Sequence, residues 1–113
     1  MTITMIKSKI QGLTVTRTEL YYDGSITIDN ELLKHANIRP GEQVHVLNIS
    51  NGARFITYTI AGEERSGEIV LNGPAARLGE VGDKLIVLAY CQITAREAIR
   101  LNPTIVHTEN RNQ

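Results

Sequence analysis

The chain of 113 residues has one cysteine, no tryptophan and no excess of charge of either sign. A lone Cys91 excludes an internal disulfide and fits a reducing cytoplasm, where we expect the protein to be located. Because Cys91 lies in an apolar strand pattern, we predict a buried, unreactive thiol. Twelve basic residues balance twelve acidic ones, so composition supplies no general attraction to nucleic acid, and we expect no nucleic-acid partner.

Long apolar runs are also missing. The longest, LIVLAY, has only a few residues, whereas a membrane-spanning helix needs about twenty. The N-terminal MTITMIKSKI lacks the charged region, apolar core and cleavage site of a signal peptide. We therefore expect no membrane partner, and the length predicts a single domain over residues 1–113.

The common catalytic and cofactor motifs do not occur. His35, His45 and His107 are scattered, without the spacing of a zinc site, so we predict no metal site. A Walker loop, a GxGxxG loop and a GxSxG elbow are also missing from the sequence. These absences argue against a dedicated nucleotide-phosphate loop and a hydrolase triad.

The pattern that is present is typical of a mainly β protein. LTVTRTELYY and SITID alternate apolar and polar residues, and QVHVLNI and RFITYTI are also predicted to be strands. The Asp23-Gly24 pair predicts a hairpin that joins LYY to ITI, because glycine adopts a positive φ without penalty. SNGA predicts a second hairpin, GEERSG a loop before the strand EIVLN, and VGDKLIVLAYCQI the most apolar strand.

Two short helices are predicted between the strands. Asp29 has the position of an N-cap before NELLKHAN, which RPGE ends. GPAARLGE predicts a helix of one or two turns. The last segment, TIVHTENRNQ, is expected to be a tail whose final polar residues are mobile.

One internal echo bears on the fold. The segments Pro40 to Ile49 and Val81 to Tyr90 superpose without a gap, and each follows a predicted short helix. The matched pairs include Gly41 with Gly82, Glu42 with Asp83, Val44 with Leu85 and Val46 with Val87. Two such units predict a small closed barrel with a pseudo-twofold axis rather than an open sheet.

Four segments together carry a family resemblance. They are SKI at 8–10, YYDGS at 21–25, NGARFITY at 51–58 and VLNGPAA at 70–76. In this order and spacing, and over nearly the whole length, the chain resembles the bacterial pyruvoyl-dependent aspartate 1-decarboxylases. The resemblance implies a double-psi β-barrel, and a homotetramer with active sites between subunits. It also implies decarboxylation of L-aspartate to β-alanine for pantothenate and coenzyme A synthesis.

The resemblance further implies a proenzyme that cuts itself between Gly24 and Ser25, giving chains 1–24 and 25–113. Attack of the Ser25 hydroxyl on the Gly24 carbonyl, elimination and hydrolysis would leave a covalent pyruvoyl group at residue 25. Strain at a tight turn would assist this step, since Gly24 tolerates such geometry. Thr57 matches the residue that stabilises the oxyanion, and Tyr22 borders the processing site. Whether an accessory maturation factor takes part stays open.

Substrate roles follow from the same resemblance. The pyruvoyl carbonyl would form a Schiff base with the substrate amine and accept electrons as carbon dioxide leaves. Arg54 and Lys9 would bind the two carboxylates of aspartate, and Tyr58 would donate a proton after decarboxylation. The remaining positions matched to the substrate pocket are Thr57, Asn72, Gly73, Pro74 and Ala75.

Three positions depart from the family pattern. Many relatives have a histidine at Gln11, many have a tryptophan at Leu47, and some have an alanine at Pro74. We expect Gln11 to alter the pocket wall or the processing rate, and Pro74 to stiffen the pocket loop.

Two other functions are compatible with parts of the sequence. Gly24 to Val46 also resembles the swapped-hairpin DNA-binding domains of bacterial transition-state regulators, but these are about half as long and usually have a basic face. The barrel could instead be an unprocessed binding module. Self-cleavage is expected of neither.

Overall fold

Eight strands and three short helical segments form residues 1–108, which are the residues described by the computed structural model. The strands are β1 Ile3–Thr14, β2 Arg17–Glu19, β3 Ser25–Asp29, β4 Gln43–Asn48, β5 Arg54–Gly62, β6 Ile69–Asn72, β7 Lys84–Ile93 and β8 Thr104–His107. The helices are α1 Asn30–Ala36, a 3₁₀ helix Gly73–Arg77 and α2 Ala95–Ala98. Within residues 1–108, no helix has the length and apolar character needed to cross a membrane.

The strands close into a barrel. Their order in the sheet is β2-β6-β3-β5-β4-β7-β1-β8. β1 and β2 lie near opposite ends of this order, but they are consecutive in the chain. Between them, the Val15 N–H donates to the Asp83 carbonyl at 2.9 Å and the Thr16 N–H donates to the Ile69 carbonyl at 2.8 Å. The chain therefore crosses from β7 to β6 and closes the sheet, while β8 lies outside on β1.

The strand registers have the predicted pseudo-twofold symmetry. Val46 and Val87, which match in the echo, lie directly opposite each other in the antiparallel β4–β7 pair. Extending the same superposition toward the N-terminus matches Ile28 to Ile69, and these residues oppose each other in β3–β6. Matched residues can face each other in this way only beside a twofold axis.

The matched turns also repeat their hydrogen bonds. The Arg39 N–H donates to the Glu42 carboxylate at 2.9 Å, and the Glu80 N–H donates to the Asp83 carboxylate at 2.9 Å. The glycines between them both have positive φ, +87° and +94°. The predicted double-psi β-barrel, mainly β with short helices, is therefore confirmed.

The barrel interior is filled by aliphatic side chains from the barrel strands and from α1. The fully buried residues of largest volume are Ile10, Leu13, Ile26, Ile28, Leu33, Ile69, Leu71, Leu85, Val15, Val44, Val46 and Val70. Several local predictions are confirmed beside this core. The Asp29 side chain caps α1 by accepting from the Glu31 N–H at 2.9 Å, and the Asn-Gly turn joins β4 to β5. Cys91 is half-buried rather than buried.

The predicted hairpin across Asp23-Gly24 is wrong. β2 ends at Glu19, the residues LYY form a turn and bend, and β2 pairs with β6 rather than with β3. β3 instead lies between β5 and β6. The φ of Gly24 is not positive, so Gly24 does not make the left-handed turn. A strand with two partners buries more apolar surface than an isolated hairpin could, and that gain outweighs the local turn preference.

Both ends of the described chain contain strand that the sequence pattern did not indicate. β1 begins at Ile3, and β8 forms from TIVH in the predicted tail by pairing in parallel with β1. Thr108 then anchors β8, since its N–H and hydroxyl donate to the Gln11 carbonyl at 2.9 and 3.0 Å. The edge of β1 satisfies its backbone groups in this way. The expected mobile residues 109–113 lie outside the described residues.

Candidate active site

Ser25 is the first residue of β3 and its side chain is fully buried. The hydroxyl donates to the Asp23 carbonyl at 3.1 Å and accepts from the Asn72 side-chain amide at 3.0 Å. A buried hydroxyl that both donates and accepts has a defined orientation. The reactive group predicted from the sequence is therefore held beside the peptide carbonyls that precede it.

Asn72 lies where it does because β6 pairs with β3 in an antiparallel register that sets Asn72 opposite Ser25. Its side-chain amide also donates to the Thr27 hydroxyl at 2.9 Å. Residues two apart on a strand point to the same face, so one amide can contact both hydroxyls. The sequence analysis did not identify Thr27, although the spacing of Ser25 and Thr27 was a signal for it.

Gly73 packs directly on the segment that precedes Ser25. Its φ is +62°, and a Cβ atom at this position would lie 2.4 Å from the Tyr22 carbonyl oxygen and 2.8 Å from the Gly24 nitrogen. Only glycine fits this conformation and this close approach. A Cβ at Gly24 would lie 3.2 Å from the Pro74 ring. The structure thus brings together the predicted residues Tyr22, Gly24, Gly73 and Pro74, while Ala75 is buried in the core.

An open cavity of about 410 Å³ adjoins this cluster. Tyr22, Thr27 and Asn72 line one part of it. Charged residues also line it, among them Arg17, which forms ion pairs with Glu19 at 3.2 Å and with Glu68 at 3.0 Å. Solvent can therefore reach the neighbourhood of Ser25 although the Ser25 side chain itself is buried.

Thr57 and Tyr58 lie on the neighbouring strand. In the parallel β3–β5 pair, Ile26 faces Thr59. One residue before this pair are Ser25 in β3 and Tyr58 in β5, and Thr57 precedes Tyr58. Because side chains alternate along a strand, Thr57 and Tyr58 point to opposite faces of β5. Tyr58 is exposed and Thr57 half-buried.

Lys9 lies on a strand that does not pair with the strand of Ser25. It lies on β1, opposite Leu88 of β7 and Ile105 of β8. β3 pairs with β5 and β6 instead, so no strand pairing sets Lys9 beside Ser25.

Arg54 is also at a distance from Ser25 along the sheet. It is the first residue of β5, opposite Leu47 of β4, and is four residues from Tyr58. Its guanidinium donates to the Tyr90 hydroxyl at 3.3 Å. Gln11, another of the three positions that depart from the family pattern, faces His107 of β8. The contacts found for Lys9 and Arg54 are therefore with residues outside the cluster of Tyr22, Gly24, Gly73 and Pro74.

A family model for aspartate decarboxylase matches residues 1–113 of this chain. The chain belongs to the aspartate decarboxylase family. The resemblance inferred from the four sequence segments is thereby confirmed, and the chain is an enzyme of the decarboxylase class.

Individual relatives are similar over nearly all of the chain. The aspartate 1-decarboxylase of Clostridium botulinum (strain Loch Maree / Type A3) is 54% identical over 99% of this chain and 88% of its own length. That of Caldicellulosiruptor bescii is 53% identical over 100% and 88%, and that of Salinibacter ruber is 48% identical over 99% and 77%. Among solved structures, the computationally designed msDPBB_sym2 protein is 16% identical with a TM-score of 0.49, covering 77% of this chain and 99% of its own.

Proposed function

We propose that the protein is a proenzyme that cleaves itself between Gly24 and Ser25 and then decarboxylates L-aspartate to β-alanine and carbon dioxide. The observation that carries the proposal is the buried Ser25 hydroxyl, which lies beside the peptide bond to be cut. It is hydrogen-bonded to the Asp23 carbonyl and to the Asn72 side-chain amide. The names of the relatives support the activity. β-Alanine would then supply pantothenate and coenzyme A synthesis.

Cleavage starts when the Ser25 oxygen attacks the Gly24 carbonyl and the peptide C–N bond breaks, which converts the amide to an ester and frees the Ser25 nitrogen as an amine. Loss of the Ser25 α-proton and of the Cβ–O bond then releases the Gly24 carboxylate and leaves dehydroalanine. Its imine tautomer reacts with one water and loses ammonia, which leaves a pyruvoyl group. Every atom comes from the chain or from water, so processing needs no oxidant.

Two features would favour the first step. Thr57 lies on β5, the parallel partner of β3, two residues before the Ile26–Thr59 pair, and its hydroxyl would donate to the oxygen that becomes negative. Gly73 and Pro74 pack against Tyr22 and Gly24, which limits the positions that the peptide can take. Confinement of the two reacting groups in this way lowers the entropic part of the barrier.

The residues around Ser25 fit a pyruvoyl group. The site is closed to bulk solvent at residue 25, and the Asn72 amide already donates to the serine oxygen. Gly73, which has no Cβ, lets the Tyr22–Gly24 backbone pack directly beside this site. Asn72 and Thr27 would hold the group, and the group would supply a carbonyl that accepts electrons from the bond to the leaving carboxylate.

The substrate roles are assigned to residues of this chain. Arg54 would bind one carboxylate of aspartate through two parallel N–H bonds, and Lys9 would bind the other as a point charge. Tyr58, exposed on the strand that pairs with β3, would deliver a proton to the carbon that loses carbon dioxide. The positions Gly73, Pro74 and Ala75 would line the pocket.

A homotetramer with active sites between subunits would complete this arrangement. β1, which carries Lys9, does not pair with β3, which carries Ser25, and in this proposal a neighbouring copy brings the Lys9 cation to residue 25. We propose a cytoplasmic enzyme of this form.

The denatured mass of freshly purified protein, before and after warm incubation, tests the proposal. We expect two fragments, 1–24 and 25–113, and the larger fragment should react with a carbonyl reagent. Ser25→Ala is the control and should stay uncut. A parent chain that stays uncut even after a lysate of the source organism is added would overturn the proposal and favour an unprocessed binding module. Cleavage only with lysate would indicate an accessory maturation factor.

A further inference from the structure

Arg54, Tyr90 and His45 form a cluster on the outer face of β5, β4 and β7. The Arg54 guanidinium donates to the Tyr90 hydroxyl at 3.3 Å. The rings of Tyr90 and His45 lie 4.7 Å apart between centroids, at an interplanar angle of 66°, which is a favourable edge arrangement. Arg54 is exposed, whereas Tyr90 and His45 are half-buried. The most exposed member of the cluster is thus hydrogen-bonded to the Tyr90 ring, which in turn packs against His45.

The strand registers show where Tyr90 lies relative to Arg54 and Tyr58 on the sheet. Gln43 faces Tyr58 across β4–β5, and continuing the β4–β7 register from His45 and Leu88 brings Tyr90 opposite Gln43. Tyr58, Gln43 and Tyr90 therefore form one row across three strands. Arg54 starts four residues away along β5, about 13 Å at the usual rise per residue. The hydrogen bond to Tyr90 therefore links the Arg54 side chain to the row that contains Tyr58.

We propose that Tyr90 is a positioning residue that holds the Arg54 guanidinium in place for a substrate carboxylate. The inference rests on the proposed function, in which Arg54 binds aspartate. The phenol oxygen accepts one of the five guanidinium N–H groups and leaves the others for the carboxylate. His45 acts indirectly, since its ring restrains that of Tyr90.

The chemistry of the cluster fits this role. An exposed arginine loses considerable side-chain entropy when it binds, and a side chain already held in one place loses less. The Tyr90 ring also lines an open cavity of about 330 Å³, together with Gln43 and His45. Tyr90→Phe keeps the ring that packs on His45 and removes only the hydroxyl that accepts from Arg54. It should therefore weaken aspartate binding without changing the packing.

The test is steady-state kinetics of processed Tyr90→Phe. We expect the KM for L-aspartate to rise three- to tenfold, with kcat and the extent of self-cleavage within twofold of the parent values. Tyr21→Phe, which removes a phenol hydroxyl from a side chain that is 96% exposed, is the matched control and should leave KM unchanged. His45→Ala should raise KM in the same direction by a smaller factor, and it remains informative if Tyr90→Phe does not fold.

A double-mutant cycle tests whether Tyr90 acts through Arg54. In an Arg54→Met background, Tyr90→Phe should change kcat/KM by less than twofold, because no guanidinium remains to be positioned. An equal loss in both backgrounds, or an unchanged KM in both Tyr90→Phe and His45→Ala, would overturn the positioning role alone. A fully processed parent without aspartate decarboxylation would overturn the proposed function together with this inference.

Discussion

The two pseudo-symmetric halves of the barrel share a turn but differ in how their helix begins. In the first half, β3 ends at Asp29, whose side chain caps α1. In the second half, the residue matched to Asp29 is Val70, and β6 continues for two further residues to Asn72 before a 3₁₀ helix starts. The turns that follow are alike, with the same backbone-to-carboxylate bond.

The two additional strand residues explain where the candidate site lies. They extend the β3–β6 ladder so that Asn72 faces Ser25, and the chain then enters the helix through Gly73 at φ +62°. A regular helix with a side-chain cap would leave neither the amide nor the missing Cβ at this position. The candidate site therefore arises where the second half departs from the symmetric scaffold, while the shared turns stabilise the barrel.

Gly73→Ala should have the largest effect because it breaks the feature that distinguishes the second half. The new methyl group would lie 2.4 Å from the Tyr22 oxygen, and overpacking together with the positive φ should cost about 3 kcal/mol or more. Chemical denaturation in an uncut Ser25→Ala background measures the loss. Self-cleavage should also slow at least a hundredfold in the Ser25 chain.

Gly41→Ala is the matched control for Gly73→Ala. Gly41 also has a positive φ, +87°, but a methyl group at this position would meet no other atom within 4 Å. We expect a loss of about 1 kcal/mol from the backbone conformation alone. Equal losses in the two variants would show that the contact with Tyr22 and Gly24 is unimportant.

Asp29→Ala should destabilise the first half without affecting the site. The Asp29 carboxylate accepts from the N–H groups of Glu31, Arg65 and Gly67 at 2.9, 3.0 and 2.9 Å, so its loss should cost about 2–3 kcal/mol. Thr94→Ala, at the exposed cap of α2, should cost less than about 1 kcal/mol. The rate of self-cleavage should remain that of the parent, and a large decrease would contradict the separation of the two halves.

Asn72→Ala should slow self-cleavage about tenfold, since a buried hydrogen bond of about 1–2 kcal/mol orients the attacking oxygen. The rate at which the cut chains appear, followed by mass, measures the effect. Thr27→Val is the control, because it removes the other acceptor of the Asn72 amide and leaves the Ser25 bond. A normal rate in Asn72→Ala would exclude Asn72 from processing.

Acidification should give the smallest effect and tests the shared turn. The Asn48 side-chain amide at 2.9 Å, with the Glu80 N–H, lowers the pKa of Asp83 below its usual value. Because the folded pKa is the lower one, this carboxylate stabilises the fold above its unfolded pKa of about 4, and the contribution is lost as the pH falls through the folded pKa. On acidification from about pH 5 to pH 2, the Tm of Asp83→Asn should therefore decrease less than the Tm of the parent. An identical decrease would contradict the role of the turn carboxylate.

Local features of this fold were predictable because they depend on residues close in sequence. The cap at Asp29, the Asn-Gly hairpin and the helix of GPAAR each need only a few neighbours. The barrel was predictable for another reason, since a repeated strand-turn unit implies a pseudo-twofold axis. The predicted hairpin at Asp23-Gly24 was wrong although it rested on the same kind of local signal, because β3 pairs with β5 and β6, which are distant in sequence.

The order of amino acids was enough to specify the apolar faces, the caps, the repeated turn and the family of this protein. The folded chain was needed to show that Asn72 faces Ser25 and that Gly73 packs on Gly24. It was also needed to show that TIVH forms an edge strand that pairs with β1. The structure was likewise needed to show that Lys9 lies on β1, which does not pair with the strand of Ser25. Strand partners are selected by burial summed over the whole barrel, and that sum exceeds the preference of about 1 kcal/mol that any single turn or strand residue contributes.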